Sequence, residues 1–246
     1  MIDTSPSRIL LRALRLTALF PSIMMAGAMA GAEAADSSVY GQVLAGPHHP
    51  QVERYIIAKD VDVCGTGYRD VPLVRTQGDA LLDTVVILEG VKGGRRFPAA
   101  ARKVTINQSA CSFEPNVVVL MQGGELEVIN SDPVLHNIHV NEMTLSGPVT
   151  RMNVSQPEKG GIVTRTFELN QGTALKLTCH AHSFMHAHVF IARTPYYAMV
   201  DSHGRFKIDG VPAGKYTLRT WHPYLGERRM ILQVKDGGQQ DIQVEY

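Results

Sequence analysis

Only three cysteines and one tryptophan occur among the 246 residues, and neither sign of charge is in excess. Twenty-four basic residues face 23 acidic ones, so the chain lacks the basic surplus that nucleic acid or an anionic membrane surface demands. No stretch of helical periodicity long enough for a core helix follows residue 35, which argues against a helical core. Met1, Met24, Met25 and Met29 lie near the N-terminus and the other methionines are scattered, so no methionine-rich tract exists to ferry soft metal cations. No Ser/His/Asp set, phosphate loop or convergent carboxylate pair stands out. Nothing in this inventory predicts an enzyme.

The first thirty-odd residues read as a targeting segment. Arg8, Arg12 and Arg15 precede an apolar run from Leu16 to Ala32, and Ala32 and Ala34 flank Glu33 as an A-x-A-like cleavage site. Pro21 and interspersed Gly and Ala weaken the run as a membrane span, and no stop-transfer pattern follows. We expect a signal peptide over residues 1–34 and export to the periplasm, the alternative being an N-terminal membrane anchor. Cleavage would remove three arginines with Asp3 and Glu33 and leave a formally neutral chain with no stable membrane insertion. Export also puts the cysteines where disulfides persist.

Short β-branched or alternating runs dominate the rest: Val39–Val43, Tyr55–Ala58, Thr84–Leu88, Val117–Met121, Glu125–Ile129, Ile138–Val140, Ile162–Leu169, Ala174–Cys179 and His188–Ala192. Turn clusters such as Gln122-Gly123-Gly124 and Asn130-Ser131-Asp132-Pro133 separate them. After Thr194-Pro195 the rhythm restarts with Tyr197–Val200, Arg205–Ile208, Lys215–Thr220, Met230–Val234 and Asp241–Tyr246. Many short strands at this spacing predict an all-β protein of sandwich or barrel type. A larger sandwich over residues 38–194 and a smaller Greek-key-like module over 195–246 are expected, although the first strand fits either.

Three cysteines cannot all pair within one chain, so one is free, intermolecular or otherwise occupied. Six of the ten histidines lie between residues 136 and 188, around Cys179. Leu135-His136-Asn137-Ile138-His139 follows a turn, and Cys179-His180-Ala181-His182-Ser183-Phe184-Met185 ends a strand. Read as C-x2-H-x2-M, the second motif supplies a thiolate, an imidazole and a thioether from one tight loop. Two histidines and a cysteine in a plane, with a weak axial methionine, suit a type 1 copper electron-transfer centre. His136 and His139 are three apart, so on a strand they face opposite sides, and spacing alone does not choose between them. Zinc is the rival ion, with His136, His139, Cys179 and His182 as its tetrahedral set.

With its upstream H-N-I-H, this loop resembles the small cupredoxins of the amicyanin type. The fuller pattern is similar to exported proteins that join a cupredoxin to a carboxypeptidase regulatory-like (transthyretin-like) β-module, some of them described as methylamine utilisation proteins. The matching stretches include Cys111-Ser112-Phe113-Glu114-Pro115, the run from Asn130 to His139, the Cys179 loop, Asp201-Ser202-His203-Gly204, Val211-Pro212-Ala213-Gly214 and Trp221-His222. The resemblance implies one copper held by His136, Cys179, His182 and Met185. It also implies that Asn137 ties the two ligand loops together near the Cys179 sulfur, with His139 close by. His182 would be the partly exposed ligand through which electrons pass to a redox partner protein. The chain departs from the pattern at Asn116, where His is usual, and at Pro223, where Glu is usual.

Cys64 and Cys111 are read as a structural disulfide, against the alternative of two buried thiols. Closing a loop of roughly 47 residues would stabilise the fold by about 4 kcal/mol on the chain-entropy model. Trp221 reads as a core residue of the small module. The leading expectation is a non-enzymatic one-electron carrier. The alternatives are a structural or binding module, for a partner or carbohydrate, with a stabilising or stored copper, and a zinc-stabilised module.

Overall fold

A computed structural model describes residues 37–48 and 50–246; the expected signal peptide and its cleavage site lie outside the described residues. Strands dominate. Among the described residues only Val61–Cys64 and Ala99–Ala101 are helical, and no helix is long and apolar enough to cross a membrane.

Two sheets enclose the first core. One runs in the order Gly147–Gln156, His136–Thr144, Ala174–Thr178, His186–Ala192, Val117–Met121; the other in the order Ile162–Phe167, Gly124–Asn130, Lys103–Ser109, Ser112–Glu114. Alternation makes this packing possible. Along Gly124–Asn130 every second residue is buried, so Leu126 and Val128 meet Ile138, Val140, Leu175, Leu177, Val189 and Ile191 from the facing sheet. His186–Ala192 is buried on both faces, and its sequence has lost the alternation accordingly. Ala187, Val189 and Ile191 enter this core, while Phe190 and Ala192 enter a second cluster with Val85, Ile87 and Trp221.

The strand pairing crosses the sequence division at Thr194-Pro195. Ser37–Leu44 pairs antiparallel with Arg205–Val211 and parallel with Gln239–Glu245, so the first strand lies with the C-terminal strands. Val85–Glu89 pairs with Tyr197–Met199 and with Gly214–His222. These strands surround a core of Val39, Leu88, Tyr196, Phe206, Ile208, Leu218 and Val234. Trp221 packs 5.3 Å, centroid to centroid, from Phe190. It therefore faces the first sandwich's strands rather than the interior of the C-terminal core, because Val85 and Ile87 turn to that same side.

A two-stranded ribbon, Gln51–Ile56 with Tyr68–Val74, stands apart from these sheets. Val61–Cys64 forms one helical turn between its strands, and Cys64 is disulfide-bonded to Cys111. The sequence placed a strand at Tyr55–Ala58; it begins instead at Gln51 and ends at Ile56.

Candidate metal centre

His139 pairs with Thr178 across the antiparallel strands His136–Thr144 and Ala174–Thr178. The start of the first strand therefore lies beside the end of the second, where Cys179 begins its loop. That loop folds back on itself: the Cys179 N–H donates to the Met185 carbonyl at 3.3 Å and the Met185 N–H to the His182 carbonyl at 3.0 Å. The result brings His136 Nδ1, His182 Nδ1 and Cys179 Sγ together, with separations of 3.2, 3.8 and 3.9 Å. His136 is 0 % exposed, Met185 1 %, and Cys179 and His182 2 % each.

Each imidazole is held from behind. Asp132 Oδ2 accepts from His136 Nε2 at 2.8 Å, and Asp60 Oδ2 from His182 Nε2 at 2.9 Å. An ionised carboxylate only accepts, so the Nε2 protons point away from the sulfur and the Nδ1 atoms turn toward it and toward each other. Two bare lone pairs and a thiolate at these distances repel unless a positive charge, either a proton or a metal ion, lies between them. A point about 2.05 Å from both nitrogens and about 2.3 Å from the sulfur, bond lengths of the zinc type, would see donor–donor angles of about 100–130°, close to a trigonal plane. The donor set fits a first-row metal ion.

The proton balance agrees. Burial raises the Cys179 thiol, but His136 and the backbone N–H groups of Asn137, Ala181 and His182 more than offset it and lower its pKa. Burial lowers His136, yet its bonds to Cys179 and Asp132 leave it raised overall. Both directions favour the thiolate, the form that binds metals. His182 is lowered, chiefly by burial, with Asp60 acting against that. Asp132 is also lowered: burial opposes this, but the N–H groups of Cys111 and Ala110 and the His136 ring prevail.

Two of the expectations taken from the resemblance need adjustment. His182 is not partly exposed: the ribbon and its turn cover its outer edge, and its Nε2–H donates a hydrogen bond to Asp60. Asn137 links the two ligand loops near the sulfur through its backbone rather than its side chain. Its Nδ2 donates to Asn153 Oδ1 and to the Val154 carbonyl, while its backbone N–H reaches the Cys179 sulfur at 3.3 Å. His139 faces away from the sulfur, as strand geometry requires, and bonds His180 at 2.9 Å and Thr150 at 3.1 Å. The zinc set that included His139 is therefore not brought together.

Sequence reasoning missed Asp132 and Asp60. Asp132 had a faint signal, standing four residues before His136 in a turn that was read only as a turn; Asp60, 122 residues from His182, had none. Arg69 was also missed. It donates to the carbonyls of Cys64, Ala110 and Cys111 and lies 4.8 Å from the centre of the Phe184 ring. A cleft of about 890 Å³, lined in part by Arg69, Arg75, Asn116, Phe184, Met185 and His186, borders the loop on the thioether side.

No protein-family model matches the chain, and no curated protein matches it. Among solved structures it is similar to a copper-containing nitrite reductase from Thermus scotoductus SA-01, at 19 % identity and a TM-score of 0.31, over 43 % of this chain and 24 % of that one. The chain thus spans about a quarter of that enzyme's length. It is similar to a purple cupredoxin from Nitrosopumilus maritimus at 18 % identity and a TM-score of 0.31, over 36 % of this chain and 99 % of that one. It is also similar to amicyanin from Paracoccus versutus at 17 % identity and a TM-score of 0.31, over 44 % of this chain and 97 % of that one.

Proposed function

We propose that this chain is an exported, periplasmic one-electron carrier whose centre is a single type 1 copper held by His136, Cys179, His182 and Met185. The observation that carries this reading is the buried triangle of two Nδ1 atoms and one cysteine sulfur, with sides of 3.2, 3.8 and 3.9 Å. Two imidazoles and a thiolate in a plane, with a long thioether contact on the axis, suit copper that transfers electrons. When bound, copper supplies a one-electron couple between Cu(I) and Cu(II).

The chain's own contribution is rigidity. Strands fix His136 and the residue before Cys179, two backbone hydrogen bonds close the Cys179–Met185 loop, and two carboxylates pin the imidazoles. Donors that cannot relax toward a tetragonal arrangement keep the reorganisation between oxidation states small. The burial of all four donors excludes water. With Met185 as the fourth donor no position would stay open for a substrate, and on that reading the chain is a carrier rather than an enzyme. The strands after Pro195, with Ser37–Leu44 and Val85–Glu89, fit a carboxypeptidase regulatory-like module that serves as scaffold or docking surface for a redox partner protein.

The closed edge of His182 favours one rival: a copper that is stored in, or merely stabilises, a binding module. Optical and electrochemical measurements on the copper-loaded mature chain separate the two. A carrier gives an intense thiolate-to-copper band that disappears on reduction and in Cys179→Ser, with a reversible, fast couple. A nearly colourless Cu(II) form with a tetragonal spectrum would remove the type 1 assignment, and a slow or irreversible couple would favour the stored ion.

A further inference from the structure

We infer that Asp60 is a positioning residue of the metal centre, one that orients His182 through its far nitrogen and biases the site toward the more highly charged ion. This rests on the reading of His182 as a ligand.

The geometry makes Asp60 a built feature rather than a surface acid that happens to lie near. Its backbone is left-handed, φ 51° and ψ 41°, a conformation that residues other than glycine adopt sparingly and that surrounding structure must hold. Here the restraint is visible. The Asp60 carbonyl accepts from the N–H groups of Val63 and Cys64, which closes the single helical turn. Cys64 at the end of that turn is tied to Cys111. Arg69 braces both ends of the disulfide, donating to the Cys64 carbonyl at 2.9 Å and the Cys111 carbonyl at 2.6 Å.

On the far side of the bridge, the Cys111 N–H donates at 2.8 Å to Asp132 Oδ2, the oxygen that also accepts from His136. The carboxylates behind the two imidazoles are therefore mounted on opposite sides of one disulfide. Asp60 is the member that comes from outside the sandwich. It reaches His182 across 122 residues and covers the edge through which the imidazole would otherwise meet solvent.

Three consequences follow for the chain's own chemistry. A carboxylate on Nε2–H fixes the tautomer with Nδ1 free to donate, and it makes that nitrogen a better donor. The negative charge beside the ring favours the divalent over the monovalent ion. With Nε2 engaged, the His182 ring also loses a hydrogen bond if it swings away from the sulfur.

The test compares Asp60→Asn, isosteric and at ease in the left-handed backbone, with Asp60→Glu and with Asp62→Asn. Asp62 is an exposed acid on the same turn, so its replacement removes the same charge without the contact. Affinities for Cu(II) and Cu(I) are measured against chelators of graded strength, and the potential by equilibrium titration. The His182 tautomer is read by nitrogen NMR on the metal-free chain.

Asp60→Asn should weaken Cu(II) binding by about 10–100-fold and Cu(I) binding by less. The potential rises accordingly, by about 59 mV for each tenfold loss of preference in a one-electron couple. The His182 resonances should shift from a single tautomer to a mixture. Asp60→Glu should recover part of each change, and Asp62→Asn should leave all three readings at the parental values. Parental affinity, potential and tautomer in Asp60→Asn would overturn the inference, as would an equal shift in Asp62→Asn. If the parent takes up no copper, the reading of the centre falls on its own, and the tautomer in metal-free Asp60→Asn then decides the role of Asp60.

Discussion

Replacing Cys64 and Cys111 together by serine probes stability and site at once. The two residues lie 47 apart, and removing a cross-link over a loop of that length releases unfolded-state entropy that destabilises the fold by about 4 kcal/mol on the chain-entropy model. For a chain of this size each kcal/mol corresponds to roughly 2–4 °C in Tm, so a fall of roughly 8–16 °C is expected. The double variant is the clean one. A single replacement leaves a thiol within 4.8 Å of a His182 ring nitrogen, where it would compete as a metal ligand. Reversible urea unfolding of the metal-free chain, followed by far-UV circular dichroism, gives the stability directly. The midpoint should fall and the slope rise, because the unlinked unfolded chain exposes more surface. Copper affinity should fall as well, since the turn that carries Asp60 and the N–H that holds Asp132 are both freed on one side. A loss below about 1 kcal/mol would show that the entropy argument does not apply here. Unchanged copper affinity would show that the bridge does not brace the carboxylates.

Other parts of the molecule give equally specific expectations. Trp221→Ala empties the cluster shared by Phe190, Val85 and Ile87 and should cost about 3–5 kcal/mol, measured by the same unfolding experiment; Trp221→Phe should recover much of it. Gly41→Ala would bring a Cβ to 1.8 Å from the Ile242 carbonyl oxygen, so the parallel pairing of Ser37–Leu44 with Gln239–Glu245 should fail, seen as lost amide protection along both strands. His188 is buried with its pKa lowered to about 3, chiefly by burial. A histidine charged in the unfolded chain but neutral in the fold loses stability as pH falls through about 6.5 toward the folded value. The contribution is complete above that range and reduced by roughly 2 kcal/mol at about pH 5. His188→Leu should flatten the acid limb of the urea midpoint against pH; an unchanged limb would remove this histidine from the account.

Much of the fold was legible from alternation. Glu125–Ile129 announced itself because one face is apolar, Val117–Met121 because it is apolar throughout, and the cluster of strand signals was enough for an all-β reading. The strands that escaped notice are polar for good reason. Gly147–Gln156 buries only Met152 and Gln156; it exists because His136–Thr144 offers it a pairing edge, which no local pattern records. Lys103–Ser109 points Gln108 into the interior, where that residue finds Gln156 at 2.5 Å. A buried polar pair reads as surface until both halves are seen. The contiguous division at residue 194 likewise followed sequence order, whereas the first strand pairs with strands at the other end of the chain.

For the candidate centre, the sequence by itself determined what is local: which donor types stand close together, and that three of them share one loop. A seven-residue loop from Cys179 to Met185 leaves few ways to spread a thiolate, an imidazole and a thioether apart, so spacing alone carried that inference. Tertiary structure decided what depends on distant chain segments meeting. It turned His136 rather than His139 toward the sulfur, closed the outer edge of His182, and brought Asp60 and Asp132 behind the two rings. Such contacts follow from which faces are buried and which segments are cross-linked, and a lone aspartate 122 residues away from its partner carries no mark of either.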